Sequence, residues 1–208
     1  MDNLAAIAAA DQERLFGEGV DLFKNYFAVL GIRNILKVIG VNTSTDSDWF
    51  RAVANFITTS ELSEMYDKIL SPERRRNLAA SRTYRTPPEI NEDDPDDIIS
   101  YLSKNIVHRK KMWRIAAQIY EKRKEEYQAA LAQPNRVRSA VENRFNEMKD
   151  LFSLNEKEMH LLMAVFLSET RFVELGDFDI NRYRSGEKVS TLARILGILD
   201  VEAAELLS

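Results

Sequence analysis

The chain has 208 residues, 45% of them hydrophobic and 30% charged, enough to bury one good core or two small ones and well inside the globular range. It contains no cysteine, which excludes a disulfide framework, a thiolate metal site and a thiol nucleophile, and points to a reducing cytoplasm. The net charge of −4 is unevenly laid out: Glu89 to Asp97 holds six acids and no base, whereas Lys104 to Lys124 holds eight bases against the single Glu121, so an acidic segment feeds a basic helix.

The opening "MDNLAAIAAADQERLF" lacks the basic stretch of a secretory signal and reads as an amphipathic helix. Leu15, Leu22, Phe23, Phe27 and Leu30 predict a long helix that ends at Gly31, with Gly17 and Gly19 as points of interruption. Ile32, Ile35, Leu36 and Ile39 predict a short second helix stopped at Gly40, where glycine supplies a left-handed cap. No basic polar face accompanies these helices, so they read as a buried hairpin rather than a membrane-surface element. Trp49, Val53, Phe56 and Ile57 mark a third helix, and Ser60 is the expected cap of a fourth carrying Leu62, Met65, Tyr66, Ile69 and Leu70. Ser71, Pro72 and Glu73 form a further start signal.

Residues 83 to 94, "TYRTPPEINEDD", combine prolines, acids and few apolar residues, and are read as a linker between a helical subdomain over 1–82 and a second over 95–208. Asp94 and Pro95 then start what reads as one long helix to about residue 132, with Ile98, Leu102, Ile106, Trp113, Ala116, Tyr120, Tyr127 and Leu131 on its stripe. Pro134 ends it. Val137, Val141, Phe145, Met148 and Phe152 recur at steps of four, four, three and four, predicting an antiparallel hairpin with the long helix. Asn155 to Glu158 is a capping-box start for a helix through Met159, Leu162, Met163 and Phe166, and 174–187 reads as a loop. The longest apolar run, residues 161 to 167, is too short to cross a bilayer, so no membrane partner is expected.

The fold expected is therefore all-α: a helical bundle with a long antiparallel hairpin and a C-terminal helix-turn-helix-like unit. Ala193, Gly197, Ile198, Ala203 and Leu206 supply the small residue, turn glycine and buried positions of such a unit. Its second helix presents Asp200, Glu202 and Glu205, with no Arg, Lys, Asn or Gln to meet phosphates or base edges, so it is read as packing against protein rather than DNA.

No P-loop, dinucleotide fingerprint, HExxH or GxSxG motif occurs, and His108 and His160 lie 52 positions apart without a ligand spacing. No catalytic residue, cofactor or metal is assigned, and the chain is not expected to be an enzyme. The candidate interaction face is basic: Arg109, Lys110, Lys111, Arg114, Lys122, Arg123 and Lys124. With Trp113 and Tyr120 interleaved it resembles a phosphate-tracking helix with stacking aromatics, although those two share the apolar stripe and so read as core.

Residues 151–208, "LFSLNEKEMHLLMAVFLSET" followed by "KVSTLARILGILDVEAAELLS", resemble the helical region that precedes the ATPase module in some bacterial AAA+ proteins. There a Leu-rich helix follows an F-x-L-x-x-x-E opening, here Phe152, Leu154 and Glu158, and leads into a helix-turn-helix-like unit. The match rests on apolar periodicity and one Ala-xxx-Gly, and it stops short of the nucleotide motifs, so no ATPase residue carries over. The resemblance implies an N-terminal fragment that recruits or assembles. A protein partner or homo-oligomer is the expectation; a nucleic-acid-associated protein and a phage or virion structural adaptor are the alternatives.

Overall fold

A computed structural model describes residues 2–39, 53–70, 95–104, 106–170 and 185–207. Every regular element among them is an α-helix: α1 (Asp2–Phe16), α2 (Leu22–Ile39), α3 (Thr59–Ile69), α4 (Pro95–Lys104), α5 (Ile106–Leu131), α6 (Ala140–Phe152), α7 (Glu156–Glu169), α8 (Ser185–Leu196) and α9 (Asp200–Leu206). The protein is all-α. By packing, the chain forms two compact units, each assembled from two separate stretches: 1–17 with 40–119, and 18–39 with 120–208. The expected linker at 83–94 lies outside the described residues. The SPE start at 71–73, Trp49 and residues 174–184 of the expected loop lie outside them as well, while the last three residues of that expected loop, Ser185 to Glu187, are helical and open α8.

In the first unit, α3 packs on α1 and α4. Its start is specified twice over. Thr58 Oγ1 accepts from Glu61 N at 3.1 Å while Glu61 Oε2 accepts from Thr58 N at 2.9 Å, a capping box two residues before the Ser60 that the spacing suggested. The reciprocal bonds favour Thr58 because Glu61 stands three residues on. From α1, the buried Asp11 carboxylate accepts from Thr59 N at 2.7 Å, placing a negative charge at the helix N-terminus. Arg14 neutralises Asp11 at 2.8 Å and donates to the carbonyls of Ile57 and Asn55. Beneath these bonds lie Leu62, Met65, Leu102, Met112, Trp113 and Ala116, which line one apolar seam.

The second unit is organised around α2, which packs on α6, α7 and α8. The interruption before it falls at Gly17–Gly19, where Gly19 adopts φ +91°, and α2 runs unbroken through Gly31. Gly31 is buried beside Ala164 and Ile195, so this glycine serves close helix approach instead of ending a helix. Asn25 donates to the Tyr127 hydroxyl at 3.2 Å, and Asn34 donates to the Ile195 carbonyl at 2.9 Å, satisfying polar groups inside this core.

The stripe predicted over 95–132 is described as two helices, with residue 105 outside the description. Its inward residues hold: Ile98, Leu102, Trp113, Ala116, Tyr120 and Tyr127 are all buried. The face predicted for α6 is used differently. Phe145 sits 5.9 Å from the Phe23 ring on α2 and 5.4 Å from Phe166 on α7, whereas Val137 and Phe152, assigned to that same face, are exposed. Val137 lies before the Ser139 cap and outside the helix, and Phe152 is its last residue, so neither has helix on both sides.

Candidate interaction surfaces

The basic cluster is divided between the two units. Lys110, Lys111 and Arg114 belong to the first unit, are exposed, and have no ionic partner among the described residues; the Arg109 side chain lies outside the description. Lys122, Arg123 and Lys124 belong to the second unit. Arg123 is 4% exposed and paired with Glu126, contrary to its place on the expected surface. It stands three residues after Tyr120 and four before Tyr127, spacing that puts it on their buried stripe. Lys122 also reaches Glu126, at 3.5 Å. Trp113 and Tyr120 are buried, so neither offers a ring for base stacking.

Lys124 belongs to a tighter arrangement. Arg33 clasps Glu121 through Nε at 2.5 Å and Nη2 at 2.9 Å, while Lys37 and Lys124 approach the same carboxylate at 3.3 and 3.2 Å. The Arg33 hydrogen bonds, aided by the two lysines, pull the Glu121 carboxyl from its ordinary 4.5 down to about 2. Its role is to hold α2 against residues 120–131. Solvent reaches 37% of the carboxylate side chain, so screening limits its contribution to about 1 kcal/mol.

His160 lines a cleft with Phe27, Gly31, Ala164 and Ile195, and its ring meets Phe27 edge-on at 5.2 Å. Burial pushes the imidazole pKa below its ordinary value, only partly opposed by Glu156 at 3.9 Å. Because the folded-state pKa is depressed, the unfolded chain takes up this proton first. Stability from this group is complete above about pH 6.5 and declines as pH falls below it. Urea midpoints at about pH 7.5 and 5.5 are therefore expected to differ less in His160→Gln than in the wild type; equal slopes would assign the acid sensitivity elsewhere.

At the C-terminal pair, α8 ends at Gly197 with φ +69°, and Asn34 side-chain atoms lie 3.0 Å from where a Cβ would stand. Ala193 and Ala203 are buried as their spacing predicts. Glu202 Oε2 accepts from Leu199 N at 3.0 Å and closes the first turn of α9, while Asp200 accepts from Ser190 Oγ at 3.0 Å and ties that turn to α8. The Asn155 start of α7 forms a full capping box, with Glu158 accepting from Asn155 N at 2.7 Å.

What the sequence reading missed is apolar surface. Leu151 is 76% exposed, Phe152 64%, Leu199 68%, Val201 61% and Leu207 49%. Lys157 Nζ reaches Glu202 Oε1 at 2.7 Å, a contact that ties the start of α7, which follows the α6 end bearing Leu151 and Phe152, to α9, which bears Val201 just after Leu199. The available signal was position: each of these residues stands at or just beside a helix end, where apolar periodicity no longer guarantees burial. Among the described residues no group of three His, Asp or Glu side chains comes together to hold a metal ion, and no helix is long and apolar enough to cross a membrane. No known protein family, curated protein or solved structure matches this chain.

Proposed function

We propose that this chain is a non-catalytic helical module that docks protein, in recruitment or assembly. One observation carries the reading: Leu151, Phe152, Leu199 and Val201 are large apolar side chains left mostly in water, on two segments of the second unit that the Lys157–Glu202 ion pair links. Grouped apolar exposure of this kind marks interaction surfaces, whereas scattered single residues do not. The resemblance of residues 151–208 to the region preceding AAA+ ATPase modules favours the same reading. Phe152 of its opening motif is among the exposed residues, and Glu158 forms the cap that fixes the turn beside it. A second reading, nucleic-acid association through the first unit, is supported by the exposed Lys110, Lys111 and Arg114. The acidic α9 and the burial of Trp113 weigh against it.

Two measurements test the choice. Light scattering after size exclusion, at about 50 and 500 mM salt with mixed DNA and RNA fragments, is expected to give a mass that nucleic acid does not change. A photo-crosslinking residue at position 201 is expected to give discrete protein adducts in an extract of cells that express the chain, and one at Gln118 is not. A complex with nucleic acid that forms at low salt and dissolves at high salt, without adducts at position 201, would overturn the docking reading.

A further inference from the structure

The exposed apolar end of the second unit carries a charge pattern that selects its partner, an argument that rests on the docking reading above. Residues 147–158 and 199–207 together hold seven carboxylates and two lysines. Lys157 is engaged by Glu202 at 2.7 Å, and the exposed carboxylates Asp150, Glu156, Asp200 and Glu205 stand on the same segments as the apolar residues. Along α9 and its C-cap the exposed positions Val201, Ala204 and Leu207 recur at steps of three, whereas Ala203 is buried. An apolar strip of this kind, rimmed by acids, complements an amphipathic helix that brings apolar anchors at i, i+3 or i+4 flanked by Lys or Arg.

A second copy of the chain fits poorly. A two-fold contact through this end would bring carboxylates onto carboxylates. Among the described residues the exposed large apolar side chains all belong to the second unit, so the Lys110, Lys111 and Arg114 face offers cations without an apolar anchor. We propose that the surface formed by Leu151, Phe152, Leu199, Val201 and Leu207, with its acidic rim, binds a basic amphipathic helix of a different protein.

The test is fluorescence anisotropy of the full chain with three labelled synthetic helices: one of Leu anchors with Lys elsewhere, one with Glu replacing Lys, and one with Ser replacing Leu. The Leu/Lys helix is expected to bind at least about tenfold more tightly than either control, and to weaken as salt rises. Phe152→Ser combined with Val201→Ser is expected to weaken it at least about tenfold, with circular dichroism unchanged, whereas Lys110→Ala with Arg114→Ala leaves it unaltered. No binding, equal binding of the Glu helix, or indifference to the Phe152 and Val201 changes would overturn the proposal. If the peptides fail while position 201 still crosslinks to protein, a second copy included, docking stands and the basic-helix partner falls. If both fail, both readings fall together.

Discussion

Replacing Trp113 by alanine is expected to cost about 3–5 kcal/mol, the range for truncating a large buried aromatic side chain. Trp113 is 3% exposed and lines the apolar seam of the first unit with Leu62, Met65 and Leu102, so its loss leaves a cavity where several helices meet. An ordinary domain has only about 5–15 kcal/mol of stability, so the change removes a large share of it. Urea unfolding followed by circular dichroism measures the loss, and Trp113→Phe is expected to recover most of it. The same experiment bears on function: a Trp113→Ala protein that keeps its stability but loses affinity for single-stranded nucleic acid would show the ring to be a stacking platform and would reverse the assignment made here.

The second large effect lies at the start of α6. Arg136 Nη2 meets Glu142 Oε1 at 2.6 Å, and both side chains are largely withdrawn from solvent. Arg136 Nε and Glu142 Oε2 are buried without a hydrogen-bond partner. Removing one member, as in Glu142→Ala, leaves an uncompensated buried charge and is expected to destabilise by about 3–5 kcal/mol. Removing both with apolar residues of similar length, Arg136→Met with Glu142→Leu, is expected to fall within about 1 kcal/mol of the wild type or to exceed it. The two unpartnered atoms are the reason to expect a gain, since their desolvation goes unrecovered. A double variant as unstable as the single one would show that the pair holds the turn before α6 by more than its charge.

Where a local rule was complete, the sequence was legible. Asn155 with Glu158, Pro95 at a helix start and Pro134 after Leu131 each name their boundary through one backbone group, and the helices stop and start there. Glycine was harder to read, because the same residue ends one helix and lets another approach a neighbour. Gly197 shows the first use, following α8 with a positive φ, and Gly31 the second through its burial. Arg123 was misplaced for a different reason: charge was counted along the chain, whereas helical phase decides which cations face water, and Arg123 follows the tyrosines inward. The exposed apolar end was invisible because periodicity reports which residues are apolar together, and says nothing of whether another helix arrives to cover them. The grouping into two units was equally hidden, since it depends on pairings between residues more than a hundred positions apart.

That interleaving sets a schedule for the growing chain. The Asn34 amide waits for the carbonyl of Ile195, 161 residues downstream. At a synthesis rate of about 5–20 residues per second, Ala28, Val29, Ile32 and Leu36 of α2 remain without their partners on α8 for roughly 10–30 s after leaving the ribosome. Meanwhile α1 and α3, only some forty residues apart, already meet through Asp11 and Thr59. Synthesis from the N-terminus thus completes part of the first unit while the apolar face of α2 is still uncovered, and it is over this interval that the nascent chain has most need of a chaperone.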